Sequence, residues 1–295
     1  MLVFSEVSLE DKRRLQPMLQ GEKDRGCEYT FGNIIIWKNI YATKVAYLNG
    51  GAVIRHDKHG VGYLFPVGEY DLDVVIEAML KDAASVGDSL RIFAADKSDF
   101  ERLDAVFPGR FKYKEERDYA EYVYLSENLR DLKGKRYHQK RNHISRFLQN
   151  HQDYEFKVID RDNIGRVLAM NEEWCDVYGC NGNRSLSEEQ CAVTMAFEHF
   201  EELDFDGGFI ESGGRVLAYS IGEPINAGVY CVHIEKAFHE IQGSYAIINR
   251  EFAREFCAGY EYINREDDVG EEGLRKAKLS YYPEFLTQKI TIVPR

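Results

Sequence analysis

The chain has 295 residues, 44% of them hydrophobic and 13% aromatic, with 19 Tyr and 17 Phe. That supports packed interiors in about two domains and excludes a disordered chain. A formal net charge of −12 excludes a surface built throughout for nucleic acid or an anionic membrane, so any polyanion site has to be a local basic patch. Residues 1–12 lack a basic-then-apolar leader, and no apolar run nears the about 18 residues of a membrane helix. The expectation is a soluble, cytoplasmic protein. The six cysteines, Cys27, Cys175, Cys180, Cys191, Cys231 and Cys257, form no CxxC pair and no zinc spacing with histidine. They read as buried reduced thiols, with no metal site expected.

In chain order, 51–55 and 62–66 read as apolar strands joined by the polar stretch 56–60. Val75, Met79 and Ala83 recur at helical spacing through 71–86, and Gly87 closes that helix. A strand at 90–95 is followed by a helix to about Val106 with Ser98 as N-cap. Residues 111–125 read as strands around a polar turn.

The same order then recurs. Helices at 162–180 and 187–203 open the second half. Strands 208–211 and 216–222 form a hairpin across Ser212-Gly213-Gly214, and 228–234 adds a third strand. A helix spans 244–257, with Ile248, Phe252 and Phe256 on one face. Strand 260–264, helix 271–281 and strand 287–293 complete the half. The expected organisation is an α+β unit twice: 1–128, a linking helix 129–150, and 151–295.

Between the halves, eight of the 14 residues from Lys133 to Arg146 are Lys, Arg or His. On a helix Arg136, Lys140 and His143 share a face, while Tyr137, Arg141, Ile144 and Leu148 trace another. Basic groups interleaved with aromatic ones suit phosphates and bases, so Lys135, Arg136, Lys140 and Arg141 are candidate phosphate ligands. A solvated face paired with acidic neighbours is the competing reading.

Three further constellations carry chemistry. After strand 260–264 come Arg265, Glu266, Asp267 and Asp268, and Arg275 and Lys278 follow three apart on a helix, where i and i+3 side chains are neighbours. Converging cations bind phosphate or carboxylate, and Asp267 is a candidate base. Gln242-Gly243-Ser244 opens a long helix whose N-terminal N–H groups suit an anion. Glu235, just past His233 at a strand end, is the second candidate acid or base. His233 reads as a core hydrogen-bonding group, and Trp174 as core. No P-loop, nucleophile elbow, zinc motif or Rossmann fingerprint is present.

The block Gly273-Leu274-Arg275, Lys278, Tyr281, Pro283 resembles the C-terminal catalytic domain of phosphatidylglycerol lysyltransferases. The element order is similar to two GNAT-like domains in tandem, as in Fem-type aminoacyltransferases. The resemblance implies transfer of an acyl or aminoacyl group, the donor an aminoacyl-tRNA, onto a hydroxyl or amine, at a site between the halves on the C-terminal domain. It assigns Arg275, Lys278 and Tyr281 to the donor. Two alternatives stand beside it: an acyl-coenzyme A-dependent N-acetyltransferase using Gln242 and Gly243, and a phosphate- or tRNA-binding module without turnover.

Overall fold

The computed structural model describes residues 2–20, 26–58 and 60–295. They fall into two compact units: Met1–Glu121 with Asp267–Glu272 and Leu286–Arg295, and Tyr122–Glu266 with Gly273–Phe285. The sequence pattern implies contiguous halves. The chain instead leaves the first unit before Tyr122 and returns to it for its last strand.

The first unit opens with β1 (Ser5–Glu6), α1 (Lys12–Gln20) and α2 (Phe31–Tyr41). Thr30 caps α2, its hydroxyl accepting from the Asn33 N–H at 3.3 Å, which satisfies one orphan donor of the first turn. Then come β2 (Thr43–Leu48), β3 (Gly51–His56), β4 (Gly62–Tyr63) and β5 (Val67–Gly68). Helix α3 (Leu72–Ser85) buries Val75, Ile76, Met79 and Ala83, the face read from its spacing. Strand β6 (Ile92–Ala95) and helix α4 (Lys97–Val106) follow. The cap of α4 is Asp96, whose carboxylate accepts from the Asp99 N–H at 2.8 Å, rather than Ser98. Strand β7 is Phe111–Glu115.

The second unit begins with β8 (Tyr122–Leu125), α5 (Ser126–Asp131), α6 (His138–Asn150) and β9 (Glu155–Val158). Helices α7 (Ile164–Tyr178) and α8 (Arg184–Glu198) follow. Strands β10 (Asp206–Ser212), β11 (Arg215–Pro224) and β12 (Val229–Ala237) form a meander, then α9 (Ser244–Phe256) crosses to β13 (Tyr262–Asn264). Helix α10 (Glu272–Leu279) and β14 (Phe285–Leu286) come next. The sheet order is β14-β8-β13-β12-β11-β10-β9.

The final strand, β15 (Ile290–Pro294), is expected in the second sheet but pairs antiparallel with β6 and β7 of the first. Its apolar alternation buries Ile290 and Ile292 against Phe65, Met79, Leu103 and Phe111. Residues 111–125 do form strands around a turn, but β7 and β8 lie in different sheets. Among the described residues no helix is long and apolar enough to cross a membrane.

Two cysteines are not thiols. Helix α7 ends at Tyr178, and Gly179 takes a left-handed conformation, φ 75°, as its cap. The reversal brings Cys180 back onto Cys175, and the two form a disulfide with Cα atoms 5.0 Å apart. Spacing alone does not show a reversal, which is why this pair reads as reduced.

Candidate active site

The site grows from a break in the β12–β13 pairing. These strands run parallel, with Val229 opposite Tyr262 and Cys231 opposite Asn264. The ladder stops there, although β12 continues to Ala237. On its other edge, β12 pairs with β11 with a shift: Ile221 faces Ile234 and Gly222 faces Val232, leaving His233 without an opposite residue. Such a bulge bends the strand and re-aims side chains.

Arg265 follows the end of β13 and reaches β12. Its Nη2 donates to Glu235 Oε1 at 2.8 Å, and both side chains are 11% exposed. Asn249 of α9 donates Nδ2 to Glu235 Oε2 at 3.1 Å. The guanidinium lies 4.9 Å from the centroid of the buried Tyr281 ring and 5.8 Å from that of Tyr124. Burial works against charge on Arg265, but Glu235 outweighs it and keeps the group cationic. Two atoms here are buried without a hydrogen-bond partner, the donor Arg265 Nη1 and the acceptor Asn249 Oδ1. An unmade hydrogen bond on a charged buried group is costly, so each of these atoms calls for a partner, a water or a ligand group among them.

The buried Tyr281 ring stands between this pair and Lys140. Lys140 of α6 lies 3.6 Å from its ring centroid and donates to Ser280 Oγ at 2.7 Å. Burial, with Arg265 pushing the same way against Glu235, lowers the Lys140 pKa to about 8. Lys140 also lines a cleft of about 340 Å³ in the second unit. Helix α6 adds His143 to its wall, and α10 adds Gly273, Lys276 and Ala277, with Ser280 just beyond. These last four are one helical face, at i, i+3, i+4 and i+7. Among the described residues no carboxylate lines the cleft.

The other expected site residues divide. Lys135 and Arg136 are exposed on the turn before α6, with Arg136 over the Tyr137 and Tyr282 rings at 5.0 and 5.7 Å. Arg141 turns inward, donating to the carbonyls of Leu132 at 2.5 Å and Gly134 at 2.7 Å, so it fastens the loop after α5. Lys278 is buried and donates to the Arg265 carbonyl at 2.5 Å, fixing the backbone that presents the guanidinium. Arg275 is half-buried on α10, and neither it nor Lys278 lines the cleft. Their i, i+3 spacing holds, but the face turned to the cleft is that of Gly273 and Lys276. Asp267 is half-buried and belongs to the first unit.

Gln242 is exposed, and Gly243 caps α9 with φ +89°. A Cβ on Gly243 would lie 2.3 Å from the His143 carbonyl oxygen. The glycine is needed there for close approach of α6, and that approach sets a carbonyl lone pair beside the turn expected to hold an anion.

His233 is in the interior, as its apolar strand implies. Its ring nitrogens meet Glu266 Oε1 at 2.7 Å (Nδ1) and Glu223 Oε1 at 3.0 Å (Nε2). Burial opposes its charge, but Cys231 and the two carboxylates outweigh it and raise its pKa well above the usual value. Glu266 has φ 55°, a left-handed conformation unusual outside glycine and a marker of local backbone constraint. Asn249, Lys276 and Ser280 were missed in the sequence. Only the cleft face of α10 had a readable signal, its i, i+3, i+4, i+7 pattern of small and basic residues.

Two mixed α+β units give the chain a tandem GNAT-like fold. The sequence pattern described as phosphatidylglycerol lysyltransferase, C-terminal, matches residues 20–292, and the chain belongs to that family. A conserved protein of unknown function from Bacteroides thetaiotaomicron is 36% identical, with all of both chains covered and a TM-score of 0.95. The C-terminal domain of a putative lysylphosphatidylglycerol synthetase from Agrobacterium fabrum superposes with a TM-score of 0.69 at 12% identity, covering 97% of this chain and 92% of that one. A tandem GNAT protein from the clavulanic acid biosynthesis pathway shares the fold at a TM-score of 0.51 and 9% identity, covering 100% and 98%. An uncharacterized protein of Mycoplasmoides gallisepticum is 20% identical over 178 residues, 58% of this chain and 55% of that protein. The chain thus spans about half the length of that curated relative.

Proposed function

We propose that the second unit transfers an aminoacyl group from a phosphate-bearing ester donor, an aminoacyl-tRNA, to an amine or hydroxyl acceptor. The observation that carries this reading is the unpartnered Arg265 Nη1 behind a carboxylate-free basic cleft. Lys140 and Lys276 take the donor's terminal phosphates, with Lys135 and Arg136 extending the track. The ester carbonyl points at Arg265 Nη1, where a donor stabilises the negative charge that develops on oxygen. Glu235 and Asn249 Oδ1 accept from the α-ammonium, a group that an acetyl donor lacks.

The acceptor attacks the carbonyl carbon, a tetrahedral adduct forms, and the ester C–O bond breaks. The acceptor's proton passes to the departing ribose oxygen. No covalent enzyme intermediate is required, because the protein acts by placing the two reactants and stabilising the oxyanion. Glu235, with both oxygens engaged, orients rather than abstracts.

Coenzyme A at Gln242–Gly243 is the weaker reading, since the His143 carbonyl repels an anion at that turn. The test is retention of mixed aminoacylated tRNA and of acetyl-coenzyme A by the same preparation. Retention of charged over uncharged tRNA, lost in Lys140→Ala, supports transfer. Equal retention of both forms points to a binding module, and coenzyme A binding alone overturns the proposal.

A further inference from the structure

Two clusters of cysteine and carboxylate groups stand out among the described residues. In the first unit, Cys27, Glu28 and Glu121 meet, and the Lys289 ammonium already sits on both carboxylates. In the second, Cys231, His233 and Glu266 bring one donor atom each to within 4.8 Å of the others. The separations are 3.5 Å from Sγ to Nδ1, 2.7 Å from Nδ1 to Oε1 and 4.0 Å from Sγ to Oε1.

From this geometry we infer that Cys231, His233 and Glu266 form a binding site for a divalent transition metal of the zinc type. Zinc bonds of ~2.3 Å to sulfur and ~2.0–2.2 Å to nitrogen and oxygen place tetrahedral donors roughly 3.3–3.8 Å apart. The Sγ–Nδ1 separation meets that as it stands. Nδ1 and Oε1 have to part by roughly half an ångström, and the Glu266 side chain, 22% exposed, has the room.

The surroundings fit the same assignment. Glu223 Oε1 lies 3.0 Å from His233 Nε2. A carboxylate there accepts from Nε2–H and, when a metal is bound, leaves the Nδ1 lone pair facing Cys231 and Glu266, the carboxylate–histidine support common at metal centres. A metal bound between Nδ1 and Glu266 Oε1, 2.7 Å apart, would take the place of the proton they share. The bulge at His233 and the left-handed backbone at Glu266 are what bring these donors together. Three protein ligands leave a fourth position, as in zinc sites that bind water or substrate.

The experiment uses the full chain, stripped by chelator and titrated with Co²⁺. One equivalent should bind with a thiolate-to-cobalt absorption band, and Zn²⁺ should displace it. Glu223→Gln should weaken Co²⁺ binding by about 10–100-fold. Cys231→Ser should abolish the band, and Cys257→Ser, another buried thiol of this unit, should keep it. Should Cys231→Ser fail to fold, the near-isosteric Glu266→Gln carries the test and must weaken binding by about tenfold or more. A wild-type protein that takes up no stoichiometric Co²⁺ overturns the site. The cluster would then be an imidazolium bridging two carboxylates.

Discussion

Each unit encloses a buried cation, and the two are arranged differently. Lys289, 4% exposed, bridges Glu28 and Glu121, and Glu121 also accepts from the Cys27 N–H at 2.8 Å. Its neighbours absorb its charge within the fold. Arg265 has one carboxylate partner, Glu235, and keeps a buried N–H that nothing accepts. Buried ion pairs seldom add net stability, and their removal is costly because a partner is left stranded. A closed triad therefore reads as architecture. A pair with a donor left over, next to an open cleft, reads as a site.

The comparison breaks if the two cations respond alike to substitution. Lys289→Met strands two carboxylates and should destabilise the protein by about 3–5 kcal/mol, measured by urea unfolding, with donor retention by the folded fraction unchanged. Arg265→Lys keeps the charge and removes the fork. It should lower transfer by about 10²–10³-fold while the melting temperature stays close to wild type. A stability loss in step with the activity loss would make Arg265 a second Lys289.

Gly243→Ala tests the packing of α6 on α9. The residue has φ +89° and a backbone oxygen in the way, so the variant should lose more than about 1 kcal/mol. Lys140→Ala should weaken donor retention about tenfold, the loss of one charge-assisted contact at about 1.4 kcal/mol. Because its pKa is lowered to about 8, Lys140 sheds its proton as pH rises through that value. Wild-type retention should fall there, and Lys140→Arg should flatten the fall.

A last effect, confined to pH dependence, concerns Glu28. Burial raises its pKa from 4.5 to about 7 against the pull of Lys289, with Glu121 adding to the rise. The folded state then holds a proton that the unfolded state has lost, so this contribution is full below pH 4.5 and disappears as pH rises through about 7. Glu28→Gln should remove that slope from pH-dependent unfolding.

Elements with clear periodicity were legible in the sequence: α3, the β10–β11 hairpin, and α9 with its buried face. Helix α2 was not. It buries Ile34, Ile35, Ile36 and Ile40 together, so no stripe emerges, and its β-branched run favours a strand reading. The Thr30 cap was its one readable sign. At the site, charged residues beside strands were readable as Arg265 and Glu235, and the structure pairs these two with each other. Helical spacing alone mistook the face of α10, because nothing local says which side Lys278 anchors. The Cys231–His233–Glu266 cluster depends on a strand shift and a left-handed residue, and neither is written in composition.

The placement of β15 between β6 and β7 has a consequence for synthesis. A ribosome delivers residues 1–121 early, yet the gap between β6 and the edge strand β7 is filled by Ile290–Pro294. Domains usually fold in the order in which they emerge. Here the unit that opens the chain is completed last, and until then β6 and β7 each expose an unpaired edge, a surface on which chains adhere to one another. A chain stalled before residue 290 therefore carries an incomplete first sheet, and clipping those few residues should cost solubility before it costs the cleft.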